Sequence, residues 1–219
     1  MTGSSLVADV PVAPPAAEAV FGDRLPLVQR YVALLAGPGV ERGLIGPRET
    51  PRLWERHVLN SAGLAELLDP GETVLDLGSG AGLPGLVLAL RRTDIEVVLV
   101  EPLLRRATFL EEAVQELALE RVTVRRARAE ELAKKVSVDV VTARAVAPLD
   151  RLAGWSLPLL RDGGRLLALK GDRADAELAS ARPMLRKAGA GSAEVVTVGS
   201  EEDLTAARVV VVTRGKSRS

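Results

Sequence analysis

The sequence predicts an α/β fold: a mostly parallel sheet with helices on both faces, preceded by an N-terminal helical extension. Three observations predict it. From residue 73 onward, short apolar runs of strand length alternate with segments whose apolar residues recur at helical spacing. The first of these runs ends in a glycine-rich turn that leads into a helix. The 70 or so residues ahead of it read as helix and turn only, with no strand pattern.

Residues 1–18 are rich in Ala, Pro and Val. They carry no basic stretch ahead of their apolar residues, so they do not read as a signal peptide. Their prolines point to a flexible tail. From 20 to 35, Leu25, Val28, Val32 and Leu35 fall at helical spacing, and Gly37-Pro38-Gly39 is expected to stop that helix. After a turn-rich stretch, Thr50-Pro51 reads as an N-cap followed by proline at the first helical position. The helix it opens should run to about Leu68, ended by Asp69-Pro70-Gly71. Residues 19–70 thus form the helical extension.

Residues 71–213 form the α/β domain. Strands are expected at 73–77, 95–100, 122–126, 138–142, 164–169, 194–198 and 209–213. Helices are expected at 83–91, 103–119, 149–160 and 174–188. The last two strands are joined without a clear helix, which predicts an antiparallel hairpin at one sheet edge. Residues 214–219 form a basic tail.

Composition narrows the chemistry. With 219 residues and 47% hydrophobic content, the chain suffices for one substantial domain plus the extension. The formal net charge is zero, so any polyanion must be met by local patches. There is no cysteine and one histidine, His57. Disulfides, thiolate ligands and a cysteine nucleophile are excluded, and no metal site is expected. No apolar stretch approaches the roughly 20 residues of a membrane helix. No membrane partner and a cytoplasmic location are therefore expected.

The most informative stretch is Val74-Leu75-Asp76-Leu77-Gly78-Ser79-Gly80-Ala81-Gly82-Leu83-Pro84-Gly85. Glycines allow positive φ and let a ligand approach the backbone, and ligands of open α/β sheets sit at the carboxyl ends of the strands. Gly80-x-Gly82-x-x-Gly85 also fits a dinucleotide pattern. Asp76 tilts the choice. A carboxylate there suits the ammonium and sulfonium of S-adenosylmethionine and would repel a pyrophosphate. Glu101, after the second strand, is placed to accept hydrogen bonds from ribose hydroxyls. Ala129-Glu130, after the third, would lie beside an adenine ring. Together these predict a Rossmann-like, class I S-adenosylmethionine-dependent methyltransferase fold.

The sequence resembles the RsmG (GidB) family of 16S ribosomal RNA guanine-N7 methyltransferases from about residue 28 to 171. The likeness is carried by Arg56-His57-Val58-Leu59-Asn60-Ser61, the segment from Asp76 to Gly85, and Glu101 followed by Arg105-Arg106 and Phe109-Leu110. It continues through Ala129-Glu130-Glu131, Asp139 to Arg144-Ala145, and Ala168-Leu169-Lys170-Gly171. The resemblance implies cofactor contacts at Gly78, Leu83, Ala129, Glu130 and Arg144, and 16S ribosomal RNA or the small ribosomal subunit as partner. Two departures fall where RNA or the target base would be held. Gly43-Leu44-Ile45 stands where family members often have Asn-Leu-Thr, and Ala143 where they often have serine.

Methyl transfer from a sulfonium is an in-line displacement that needs alignment above all. Guanine N7 already carries a free lone pair, so no catalytic base is required. Arg144 and Lys170 end apolar strands at the carboxyl edge, where they are candidates to hold substrate or cofactor. His57 shares a helix face with Leu53, Asn60 and Leu64, and is either a buried structural histidine or a residue of the site mouth. Arg48, Arg52 and Arg56, with Arg42 near them, form one basic cluster. Arg121, Arg125, Arg126 and Arg128, with Arg105-Arg106, form another. Either set suits phosphate contacts. An NAD(P)-dependent oxidoreductase and a non-catalytic RNA-binding module are the alternative readings. Asp76 and the lack of a Tyr-x-x-x-Lys pair weigh against the oxidoreductase.

Overall fold

A computed structural model describes residues 10–133, 135–202 and 205–216. Residues 1–9 and 217–219, the outer parts of the two expected tails, lie outside them. The first helix, α1 (Pro15–Phe21), opens within the stretch read as a loose tail. Pro15 occupies the first turn, where a missing N–H costs nothing, and Ala17 and Phe21 are buried. α2 (Leu25–Leu34) buries Val28, Tyr31 and Val32.

Gly37-Pro38-Gly39 does not stop the chain's helical path. A π-helical turn, Leu35–Gly39, carries it on, its wider i→i+5 turn accommodating Pro38. Nor does Thr50 cap the next helix. A 3-10 segment begins earlier, at Pro47, and runs to Arg52. π-helical turns follow at Leu53–Leu59, then α3 (Asn60–Ala62) and a 3-10 segment, Gly63–Leu67. Arg52, at φ −106° and ψ 7°, breaks the path between the first two of these.

The α/β part then runs β1 (Thr73–Leu77), α4 (Gly85–Arg91), β2 (Glu96–Val100), α5 (Leu104–Glu116), β3 (Val122–Arg125) and α6 (Ala129–Leu132). It continues with β4 (Val138–Arg144), α7 (Leu149–Ser156), β5 (Leu160–Leu169), α8 (Ala174–Lys187), β6 (Ala190–Val198) and β7 (Ala207–Arg214). The strands form one seven-stranded sheet in the order β3-β2-β1-β4-β5-β7-β6. β1 to β5 pair in parallel, and β7 runs antiparallel to both β5 and β6, giving the expected edge hairpin. Most elements start or end within a few residues of expectation, and three differences are larger. α7 ends at Ser156, where a 3-10 turn with Pro158 feeds β5 directly. The short α6 was not expected. β6 begins at Ala190 because pairing with β7 recruits Ala190, Ser192 and Ala193, whose local strand signal is weak, with a register shift at Gly191.

One apolar cluster lies on each face of the sheet. On one face the extension packs Tyr31, Leu35, Leu53, Leu59 and Leu64 together with Leu86, Leu88 and Leu90 of α4. On the other, Leu152 and Ala153 of α7 and Leu178 and Leu185 of α8 cover Val141, Leu166 and Val210. The direction of strand order reverses between β1 and β4, so the crevice for a ligand opens beyond Leu77 and Arg144.

Candidate active site

The glycine-rich loop after β1 is tied down on every side. Gly78, Gly80 and Gly82 have φ of +70°, +58° and +97°, which a side chain would strain. The Gly78 and Ser79 N–H groups donate to the Val100 carbonyl at 2.8 and 3.1 Å. The Ser79 hydroxyl donates to the Asp76 carbonyl at 2.8 Å. From α2, the wholly buried Tyr31 hydroxyl donates to the Ala81 carbonyl at 2.8 Å. Burial, and then the charge of Asp76, push the Tyr31 pKa well above its ordinary value, so it remains a donor.

Asp76 lies beneath this loop and is fully buried. Its Oδ2 accepts the Gly85 N–H at 3.1 Å, while its Oδ1 is buried without a hydrogen-bond partner. Desolvation raises its pKa to about 7 against those hydrogen bonds. The carboxylate expected to face a cationic ligand therefore braces the loop with one oxygen and leaves only the other free. Glu101, also buried, accepts the Gly80 N–H at 3.0 Å on one oxygen and the Leu103 N–H at 3.0 Å on the other. It stitches the loop to the start of α5.

Two cavities open at the carboxyl edge. The smaller, of about 250 Å³, is walled by Leu77, Gly78, Val100, Pro102, Ala129, Glu130, Val146 and Trp155. It is mainly apolar and roomy enough for a purine. The larger is an open cleft of about 1020 Å³ beyond β4 and β5. Arg56, Asn60, Arg144, Val146, Lys170, Asp172, Arg173, Glu201 and Arg208 are among its walls. Val146 belongs to both. It also abuts the loop: a Cβ placed on Gly78 would lie 2.9 Å from its Cγ2.

The sequence-predicted residues divide accordingly. Gly78, Ala129 and Glu130 line the small cavity, and Arg144 and Lys170 the large one. Asp76, Gly80, Glu101, Leu83 and His57 line neither. The Leu83 N–H closes the loop on the Ser79 carbonyl at 3.2 Å, and its side chain packs on the core shared with the extension.

Arg144 is not the open fork that its place at a strand end suggested. Its Nη1 donates to the His57 carbonyl at 3.2 Å and to the Ser61 hydroxyl at 3.3 Å, and its Nη2 to His57 Nδ1. These partners are more than eighty residues away in sequence and are brought in by the extension, which local pattern does not reveal. His57 in turn bonds Glu49 through Nε2 at 2.9 Å. Lys170 is likewise engaged, donating to the Ala147 carbonyl at 3.0 Å and pairing with Glu177 at 2.8 Å.

Sequence reasoning missed Tyr31, Glu49, Val146 and Trp155 as site residues. None sits in a motif, and only the fold brings them to this edge. Among the basic clusters, Arg48, Arg52, Arg105, Arg125, Arg126 and Arg128 are exposed. Arg42 instead pairs with Glu112 at 2.6 Å, and Arg121 with Glu96 at 3.6 Å. Among the described residues no group of three or more His, Cys, Asp or Glu is placed to hold a metal ion. No described helix is long and apolar enough to cross a membrane.

Comparison with known proteins agrees with this geometry. The family described as rRNA small subunit methyltransferase G, GidB, matches residues 24–205. The ribosomal RNA small subunit methyltransferase G of Thermobifida fusca is 58% identical over 198 residues, 90% of this chain and 84% of that one. The protein of the same name from Streptomyces avermitilis is 60% identical over 193 residues, 88% of this chain and 81% of that one. Among solved structures, M. jannaschii TYW2 in complex with AdoMet matches with a TM-score of 0.54 at 18% identity, over 74% of this chain and 76% of that one. A SAM-dependent O-methyltransferase from Thermotoga maritima matches with a TM-score of 0.52 at 20% identity, over 73% and 66%. At such identities the likeness is one of fold.

Proposed function

The chain belongs to the GidB family, rRNA small subunit methyltransferase G, and from that premise we propose that it transfers a methyl group from S-adenosylmethionine to N7 of a guanine in 16S ribosomal RNA. The observation that carries this reading is the shared wall at Val146. A purine-sized apolar cavity and a wide cleft with cationic walls meet beside the glycine loop, so a nucleoside cofactor and a polyanionic substrate would meet there too.

The residues present fit the cofactor. The unpartnered Oδ1 of Asp76 is a buried acceptor that a cationic group near the loop would satisfy. Glu101 has a lone pair to spare on each oxygen for ribose hydroxyls. Gly78, Ala129, Glu130 and Trp155 would hold the adenine in the small cavity. When bound, S-adenosylmethionine supplies a methyl group on a sulfonium, ready for displacement.

The protein's own task is then to orient the acceptor and exclude water. An acceptor with a free lone pair suits this site, since His57, behind Arg144 of the cleft wall, has both ring nitrogens bonded and Lys170 on the wall is paired. The methylated purine is cationic, and Asp172 and Glu201 on the cleft wall would offset that charge. Arg56 and Arg173 on the same wall, with the exposed Arg52 one helical turn before Arg56 in sequence, would hold phosphates. A protein acting on the small ribosomal subunit would work in the cytoplasm.

Calorimetry with S-adenosylmethionine and with NAD tests the cofactor assignment. Saturable binding of the first and none of the second is expected. Binding of NAD alone would return the glycine loop to the dinucleotide reading.

A further inference from the structure

Glu49, in the segment Pro47–Arg52, lies outside every motif, yet its carboxylate meets His57 Nε2 at 2.9 Å. The two residues are eight apart. An uninterrupted α-helix would set them about 12 Å apart along its axis. The break at Arg52 folds the 3-10 segment back so that they touch. Beyond His57 stands Arg144, whose guanidinium reaches His57 Nδ1, the His57 carbonyl and the Ser61 hydroxyl.

The chemistry of the three side chains leaves one arrangement. A guanidinium only donates, so His57 Nδ1 must offer its lone pair. Burial and the charge of Arg144 hold the His57 pKa below its ordinary value, so the ring is neutral and carries one proton. That proton must then sit on Nε2, where it needs an acceptor, and Glu49 is that acceptor. The other tautomer would set an N–H against the N–H groups of Arg144. Arg144 in turn forms part of the cleft wall, with Arg56 and Asn60.

We infer that Glu49 is a positioning residue for methyl transfer: by fixing His57 as its Nε2–H tautomer, it holds the Arg144 guanidinium in place on the cleft wall. This rests on the cleft being the substrate's seat. Glu49 does not touch the reacting atoms. Its carboxylate also meets the exposed Arg56 at 3.3 Å, a surface pair that a phosphate could displace without loosening His57.

His57 is the only histidine in the chain, so its tautomer can be read without assignment. The full-length protein is labelled with 15N-histidine, and long-range 1H–15N spectra are recorded for wild type, Glu49→Ala and Glu49→Gln. Wild type is expected to show a protonated Nε2 and a bare Nδ1. Glu49→Gln should keep that pattern, because its amide oxygen still accepts. Glu49→Ala should show a mixture of tautomers. A wild-type ring protonated at Nδ1, or a Glu49→Ala ring still wholly Nε2–H, would overturn the inference.

Rates are read in parallel as single-turnover methyl transfer at saturating cofactor and subunit, with thermal melts as the folding control. Glu49→Ala should fall about tenfold and Glu49→Gln should stay within about threefold of wild type. Equal losses in both variants would mean that the charge of Glu49 matters and the tautomer does not. An unchanged Glu49→Ala rate beside a changed tautomer would remove the link from Arg144 to the reaction. The spectra bear on the relay even if the substrate assigned above is wrong.

Discussion

Asp76 is a carboxylate held from water at the floor of the site, and its titration reports on that burial. Its pKa in the folded protein is about 7, with desolvation the main cause. Below about pH 4 both folded and unfolded chains hold the proton. Between there and about 7 the unfolded chain has lost it while the folded chain keeps it, so stability falls as pH rises through that window and then levels. Asp76→Asn has no proton to lose. It should gain stability relative to wild type by on the order of 1–2 kcal/mol between about pH 5 and about pH 8, read by denaturant unfolding. Parallel pH profiles for the two proteins would place the Asp76 carboxyl near its ordinary pKa. The same substitution should weaken S-adenosylmethionine binding, because the neutral amide no longer draws a cation. Asp76 was legible in the sequence through its place two residues before the first glycine. Its double service was not, because the Gly85 N–H that occupies Oδ2 arrives only when the loop closes.

At the scale of elements, two of the polar clasps between the extension and the α/β part hold the site. Tyr31 reaches from α2 to the glycine loop, and Arg144 reaches from β4 to the segment Leu53–Leu59 and to Ser61. Tyr31→Phe keeps the buried ring and strips one hydroxyl, leaving the Ala81 carbonyl unsatisfied. A loss of about 1–2 kcal/mol in stability is expected, together with a severalfold weaker cofactor affinity in calorimetry as the loop loosens. Loss of stability with unchanged affinity would confine Tyr31 to the core. The glycine loop and the flanking strands were readable because their signals are local: an apolar run, clustered glycines, then a helix. The clasps were not, since Tyr31 and Ala81 are fifty residues apart. The helical extension was legible as helix, but its boundaries were not. Thr50-Pro51 has the chemistry of a helix start, yet the chain enters its 3-10 segment at Pro47 and kinks at Arg52, as packing of Leu53 and Trp54 into the core overrides local capping.

At the scale of the whole molecule, zero net charge means that RNA affinity depends on where the arginines stand rather than how many there are. Arg52 and Arg56 are exposed, and Arg56 lines the cleft. Arg52→Ala with Arg56→Ala should weaken RNA binding and reduce the slope of log affinity against log salt by roughly one per lost contact. An unchanged slope would assign both side chains to a solvated face. The parallel sheet, its edge hairpin and the crevice at its carboxyl edge follow from patterns that the sequence displays. The meeting of two cavities at Val146 does not, because Val146 lies in a loop whose path depends on β1, β4 and α7 together. That meeting point is also where cofactor and substrate must come together if the proposed reaction is right. The most direct test is transfer of labelled methyl from S-adenosylmethionine to small ribosomal subunits lacking the modification, followed by nucleoside analysis of the RNA. Label recovered as 7-methylguanosine from 16S RNA is the expected result, and label on another position or base, or none transferred, would contradict it.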